Sequence, residues 1–127
     1  MTERAPGHPK PLEWIGSSKK DLLALPDEVI DIFGYALHLA QTGKTHSDAK
    51  PLRGFGSAGV LEIVEDLRGN AYRAVYTVRY TVRVFVLHVF QKKSKSGIAT
   101  PKSDLDLIKS RLKVAAKRAK ELENEQA

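Results

Sequence analysis

The chain of 127 residues contains no cysteine, which excludes disulfide bonds and metal sites built on thiolates. It also lacks any run of about 18 apolar residues, the length that a membrane-spanning helix requires. The N-terminal residues include no apolar segment of the kind found in secretory signals, so we expect a cytoplasmic protein. The histidines lack the short helical spacing of a zinc site, and neither a GxxxxGK(S/T) loop nor a GxSxG motif occurs. We therefore expect neither a metal nor a cofactor.

Positive charge is in excess: 21 lysines and arginines stand against 15 aspartates and glutamates, for a net charge of +6. This balance favours a polyanionic partner, nucleic acid before a membrane surface. The length predicts a single domain over residues 1–127, built on one core. Residues 1–9 have little to bury and predict a flexible arm, while the acidic segment 121–127 is expected to fray.

Hydrophobic periodicity predicts one strand, two helices, three strands and a final helix, in that order. The apolar residues from Val29 to Ala40 recur at helical spacing, Pro26 suits the start of that helix, and Gly43 suits its end. The expected bounds are 10–15, 17–25, 26–43, 60–67, 71–80, from 82 onward, and from 100 onward. The fold class is α+β: an N-terminal strand and a helical hairpin packed on an antiparallel meander sheet, with a C-terminal helix.

Two local patterns refine this prediction. In the turn at 68–70, Gly69 and Asn70 are the residue types that tolerate positive φ. Thr100 suits the N-cap of the last helix and Pro101 its first position. The buried stripe of that helix is expected to comprise Leu105, Ile108, Leu112, Ala115, Ala116, Ala119 and Leu122. The opposite face carries Lys109, Lys113, Lys117 and Lys120, and is either simply solvated or lies along an RNA backbone.

The stretch from Val82 to Lys95 is the centre of the predicted sheet. Its first half is apolar at consecutive positions, so both of its faces must be covered. Its second half contains Lys92, Lys93 and Lys95. These lysines either mark where the strand leaves the core or form a phosphate site at the end of a rigid element.

Arg73 is expected in the middle of a strand, between apolar neighbours, where a guanidinium must find an anion or carbonyl groups. It either pairs with Glu62, Glu65 or Asp66 on the adjacent strand or points at a phosphate. Lys50 and Arg53 lie in the polar, glycine-rich segment 43–59, which is either an ordinary solvated loop or a functional one. His88, on the central strand, is either a satisfied core histidine or a residue that transfers protons.

This set of cations suits phosphodiester chemistry without a metal. RNA carries its own nucleophile, the 2′-hydroxyl, so an enzyme needs to orient it, stabilise negative charge on phosphorus and assist proton transfer. Preorganised cations can supply about 3–4 kcal/mol of that stabilisation per well-placed donor. A lysine can act as a base only if neighbouring cations lower its pKa, and clustered lysines provide such neighbours.

Several short segments resemble the phage-derived, HigB-like branch of the RelE/ParE toxin superfamily, over about residues 12–122. The segments are 50–54 (KPLRG), 59–63 (GVLEI), 72–76 (YRAVY), 87–94 (LHVFQKKS) and the Thr-Pro pair at 100–101. The resemblance implies a RelE-like fold, with helices on one face of an antiparallel sheet and a basic cleft on the other. It also implies a toxin of a type II toxin–antitoxin pair.

Such a toxin is a ribosome-dependent mRNA endoribonuclease, and its expected partners are mRNA on the ribosome and a helix-turn-helix antitoxin. The resemblance places Arg73, Lys92 and Lys93 at catalytic positions, and it places Lys50 and Arg53 in the basic, RNA-binding loop. We add His88 to the catalytic candidates and Lys95 to the RNA-binding ones. Two alternatives stay open: a noncatalytic module of the same fold that binds nucleic acid or protein, and a phage structural or assembly protein.

Overall fold

The computed structural model describes residues 9–92 and 100–126. Their elements follow the predicted order and confirm the α+β class. They are β1 Leu12–Trp14, α1 Ser18–Leu23, α2 Asp27–Gln41, β2 Lys50–Pro51, β3 Val60–Leu67, β4 Asn70–Thr77, β5 Val84–Lys92 and α3 Lys102–Gln126. Within the described residues no helix combines the length and apolar character that crossing a lipid bilayer requires.

The five strands form one sheet in the order β1-β5-β4-β3-β2. β3, β4 and β5 make the predicted antiparallel meander, β2 adds to β3 antiparallel, and β1 lies parallel to β5. The residues from Val84 to Val89 are all buried, as expected of a strand that is covered on both faces. β2 is the main departure, because it lies inside the segment 43–59 that was predicted to be a loop.

Helices cover both faces of the sheet, which corrects the expectation that all of them lie on one face. Side chains of α1 and α2, such as Leu22 and Phe33, pack with Ala74 and Tyr76 of β4. On the opposite face Ile108 and the small residues of α3 pack with other strand residues. The physical reason is β5, whose consecutive apolar residues require an apolar cover on each side.

A β-bulge in β5 sets which residues face each helix layer. Val75 pairs with His88 and Tyr76 pairs with Val86, so Leu87 is an extra residue on β5. The carbonyl oxygen of Leu87 accepts a hydrogen bond from Arg111 of α3 at 2.9 Å. Helix α3 is therefore fixed to the sheet at the bulge.

The hairpin between β3 and β4 is tighter than predicted. Leu67 pairs with Asn70, and the two residues between them, Arg68 and Gly69, have φ values of 52° and 83°. Asn70 was predicted to supply a positive φ, but it is the first residue of β4. A two-residue hairpin loop needs positive φ at both of its central residues, so Arg68 adopts it instead.

Helix ends follow the predictions in part. Gly43, with φ of 81°, terminates α2, and its amide donates to the carbonyl oxygen of Ala40. Helix α3 continues to Gln126 through the segment expected to fray, and Leu122 is buried. In the predicted stripe of α3, Ala116 is exposed.

Candidate nucleic-acid interface

A cavity of about 520 Å³ lies between the β2 edge of the sheet and the start of α3. We call it the cleft. Its lining residues are Lys50, Pro51, Leu52, Arg53, Gly54, Glu62, Arg73, Thr100 and Leu105. Three cations that were predicted from the sequence are therefore brought together, from two strands and one loop.

Residues of β2 and the loop after it form one side of the cleft. Lys50 pairs in register with Glu62 of β3, and the amide of Leu52 donates to the carbonyl oxygen of Val60 at 2.9 Å. Leu52 is buried, whereas Lys50 and Arg53 are exposed. The buried leucine thus anchors a backbone segment that presents two solvated cations to the cleft.

Arg73 lines the cleft from the middle of β4, and its side chain is only 5% exposed. Its Nη1 donates to Oε2 of Glu62 at 2.9 Å and to Oγ1 of Thr100 at 3.0 Å. The pairing with an acidic residue of the adjacent strand, one of the two sequence-based alternatives, is therefore present. Because Arg73 also lines the cleft, this pairing leaves a phosphate-binding role open.

Lys92 is buried next to this ion pair, whereas one of its two sequence-based alternatives was the exit of the strand into water. Burial, followed by the positive charge of Arg73, lowers the pKa of Lys92, and the carboxylate of Glu62 acts in the opposite direction. Arg73, Glu62 and Lys92 thus form one electrostatic group on the α3 side of the sheet. Lys93 and Lys95, the other predicted strand-end lysines, lie outside the described residues.

His88 is absent from the described residues that line the cleft. It is buried, its Nε2 lies 2.8 Å from Oδ1 of Asp104, and its ring stacks on Phe90 at a centroid distance of 4.4 Å. Within residues 9–92 and 100–126 its Nδ1 has no hydrogen-bond partner. The contact with Asp104 attaches the first turns of α3, which carry Leu105, to the central strand.

The sequence interpretation missed Glu62, Thr100 and Leu105 as cleft residues. Glu62 was considered only as a partner of Arg73, and Thr100 only as a helix cap. Thr100 could have been predicted as a cleft residue because it follows the strand-end lysines in the sequence. A buried hydroxyl near such cations can accept a hydrogen bond from a guanidinium. No local pattern distinguishes Leu105 from the other apolar residues of α3.

Comparison with solved structures supports the architecture. A mutant form of E. coli toxin RelE in the free state covers 83% of this chain and 96% of its own, with a TM-score of 0.52 and 22% identity. The RelBE2 toxin–antitoxin complex from Mycobacterium tuberculosis covers 66% of this chain and 99% of its own, with a TM-score of 0.44 and 20% identity. The first of these confirms the predicted RelE-like fold. No curated protein matches the chain.

A family model matches residues 20–113, from the first residues of α1 to the middle of α3. The match includes all the residues that line the cleft. Its description is "Phage derived protein Gp49-like (DUF891)". The prediction of a phage-derived family is thereby confirmed, whereas the HigB-like assignment stays a prediction. This chain belongs to the phage-derived Gp49-like family.

Proposed function

We propose that the protein is the toxin of a type II toxin–antitoxin pair and that it cleaves mRNA on the ribosome. The observation that carries this proposal is the cleft, which gathers Lys50, Arg53 and Arg73 beside a buried lysine. Convergent cations in a cavity suit a substrate that carries a phosphate. The fold it shares with a protein named as a toxin adds support.

The proposed reaction is attack of the 2′-hydroxyl oxygen on the adjacent phosphorus. The P–O5′ bond breaks, the 2′-hydroxyl loses its proton, and the departing 5′-oxygen gains one. Arg73 stabilises the negative charge on the phosphoryl oxygens, with Lys92 and Lys93 adding to the positive potential. Lys50, Arg53 and Lys95 bind the neighbouring phosphates. No metal ion enters this scheme.

Glu62 and Thr100 both accept from Nη1 of Arg73, so a phosphate oxygen either replaces Glu62 or binds another N–H group of the guanidinium. A phosphate oxygen in the cleft competes with a carboxylate for the same guanidinium, and both are anionic acceptors of similar geometry. His88 was predicted either to be a satisfied core histidine or to transfer protons. Its contact with Asp104 supports a positioning role instead, in which it holds the start of α3 against β5.

The proposed partner is a helix-turn-helix antitoxin that silences the cleft by covering or distorting it. This part of the proposal rests on the sequence resemblance. We expect the toxin to co-purify as a stable complex when both proteins are expressed together. A wild-type protein that is harmless to cells without any partner contradicts it.

The test is cleavage of mRNA on programmed ribosomes, with the ends of the products mapped. We expect 2′,3′-cyclic or 3′-phosphate ends, because attack by the 2′-hydroxyl leaves the phosphate on that side. Products with a free 3′-hydroxyl contradict the scheme, since they require water as the nucleophile. An mRNA with a 2′-deoxy residue at the mapped site is the matched control and should stay intact.

A second candidate is a noncatalytic module that binds RNA through the same cleft. The Arg73–Glu62 pair favours it, because a buried arginine with a carboxylate partner is also a common structural device. The two candidates differ on the ribosome. A noncatalytic module occupies the mRNA without producing new ends at any concentration.

A further inference from the structure

Apart from Lys102 at its first position, the cations of α3 divide into two groups with different surroundings. Arg111 donates to the carbonyl oxygen of Leu87, and Nε of Arg118 lies 2.9 Å from Oε2 of Glu13 in β1. These two arginines bind the helix to the sheet. Their guanidinium groups are therefore already engaged in contacts within the protein.

Lys109, Lys113, Lys117 and Lys120 form the second group, which we call the lysine ridge. All four are exposed. None has a carboxylate within ion-pair distance in the part of the chain that the structure describes, whereas Lys102 of the same helix pairs with Asp106. The sequence from 107 to 120 contains no acidic residue. A solvated helix face usually alternates the two signs of charge, and the lysine ridge does not.

The lysine ridge starts at the cleft. Leu105 lines the cleft, and Lys109 and Lys113 follow it at successive intervals of four residues. Residues four apart lie on the same side of a helix, so the row continues from the cleft along α3. With a rise of about 1.5 Å per residue, the row from Leu105 to Lys120 is roughly 22 Å long, and neighbouring positions are about 6 Å apart.

We infer that the lysine ridge binds the backbone phosphates of the single-stranded RNA that extends from the cleft. The ligand is a polyanion, because the ridge offers four ammonium groups and no large apolar side chain. The exposed apolar residues of α3, Leu107 and Val114, lie about 100° or more around the helix axis from the middle of the ridge, and only Val114 borders it, beside Lys117. A protein interface needs an apolar centre, and the ridge lacks one. The inference extends the proposed function and rests on it, because the proposed function identifies the bound strand as mRNA.

The experiment measures binding of 2′-O-methyl RNA, which cannot be cleaved by 2′-oxygen attack, so affinity is separated from activity. The variant Lys109→Gln/Lys113→Gln/Lys117→Gln/Lys120→Gln removes the charges of the ridge. At about 0.1 M salt we expect a loss of roughly 10²-fold in affinity for an RNA of about 12 nucleotides. The slope of log affinity against log salt should fall by about 2.8, which is about 0.7 per lost phosphate contact.

A matched pair of variants controls for net charge. Lys113→Gln/Lys117→Gln and Lys19→Gln/Lys20→Gln remove the same charge from exposed helical lysines, the second pair on α1. The α3 pair should lower the salt slope by about 1.4, and the α1 pair should leave it unchanged. Equal effects of the two pairs contradict the inference, because they indicate long-range charge alone.

RNA length separates the substrate strand from other partners. An RNA of about 3 nucleotides fills the cleft but not the ridge, so its weak affinity should be the same for wild type and the fourfold variant. If the longer RNA, like the shorter one, has the same affinity for wild type and for the fourfold variant, the inference is wrong. In that case the ridge contacts something else, such as ribosomal RNA or an acidic protein. If that equal affinity is found and mRNA is still cleaved normally on ribosomes, the result rejects RNA binding by the ridge but not the proposed function. RNA binding by the ridge without any cleavage rejects only the proposed function.

Discussion

Nη1 of Arg111 donates to the carbonyl oxygen of Leu87 at 2.9 Å, which joins the middle of α3 to the extra residue of the β5 bulge. The same guanidinium reaches Oγ of Ser17 at 3.2 Å, next to α1. Gly16 makes this approach possible, because a Cβ atom there would lie 2.8 Å from the guanidinium atoms. One side chain thus connects the helices of both layers to the central strand.

Arg111→Met should lower the free energy of unfolding by about 1–3 kcal/mol. The methionine keeps the apolar stem but leaves the bulge carbonyl without its donor. Urea unfolding followed by circular dichroism measures the change. Lys113→Met on the exposed face of the same helix is the control and should change stability by less than about 0.5 kcal/mol. A midpoint for Arg111→Met equal to that of the control contradicts the structural role.

Arg73→Ala should abolish growth arrest on induced expression and lower the maximal rate of mRNA cleavage by about 10²–10³-fold. The reason is the loss of a preorganised donor that faces the developing charge. Toxicity in cells and single-turnover cleavage on programmed ribosomes measure the two effects. A folded variant with wild-type toxicity shows that Arg73 is only structural.

Loss of fold is a separate explanation, since removal of Arg73 takes away the guanidinium that donates to Glu62. Glu62→Ala/Arg73→Ala removes both charges together, so its stability should exceed that of Arg73→Ala. It should still be inactive. Glu62→Gln keeps Arg73 and removes its charged competitor for phosphate, so we expect RNA affinity to rise severalfold.

Lys92→Met and Lys50→Gln should separate two roles of positive charge. Lys92 is only 5% exposed, so it contributes potential inside the cleft rather than released counterions. We expect Lys92→Met to lower the maximal cleavage rate by at least about tenfold at an unchanged salt slope of RNA binding. Lys50→Gln should lower that slope by about 0.7 at an unchanged maximal rate. Saturation kinetics give the maximal rate, and binding at several salt concentrations gives the salt slope. If Lys92→Met changes only the slope and Lys50→Gln changes only the rate, the two roles are wrongly assigned.

Tyr76→Phe should remove an alkaline loss of stability. Burial raises the pKa of Tyr76 to about 12 from 10.0, and its hydroxyl has no hydrogen-bond partner among the described residues. Between these two values the folded state holds more protons than the unfolded state, so stability falls as the pH rises. A shift of two units corresponds to about 3 kcal/mol. The wild-type protein should lose about 2 kcal/mol of it relative to Tyr76→Phe between pH 10 and 12, and the rest outside that range, in urea titrations of both proteins. Parallel curves contradict this prediction.

Local chemistry explains which parts of the fold were predictable. β3 has the predicted bounds because its ends are set by glycines at 59 and 69. The apolar run of β5 explains why this strand lies inside the sheet, although β4 and not β5 is the middle strand. β2 was not predictable, since two residues carry no periodicity and the strand exists only through its pairing with β3. The bulge at Leu87 and the second helix layer depend on long-range packing, which no local window contains.

The same limit applies to the candidate site. Arg73 was recognisable as a cation between apolar neighbours on a strand. Its pairing with Glu62 was one of two alternatives, and only the register of β3 and β4 brings the two side chains together. Lys92 was a candidate either for the solvated end of the strand or for a phosphate site, and its burial beside the Arg73–Glu62 pair depends on contacts that no local pattern contains.

The position of Thr100 and Leu105 in the cleft has a consequence for biosynthesis. Every other lining residue that the structure describes belongs to positions 50–73, so that side of the cavity is translated first. Chains emerge from the ribosome with the N-terminal part leading. The wall that α3 supplies is thus added after the strands of the sheet have left the exit tunnel. A nascent chain that stops before this helix has cations at an open sheet edge but no enclosed cavity. Translation of α3 and completion of the cleft are therefore coupled in time.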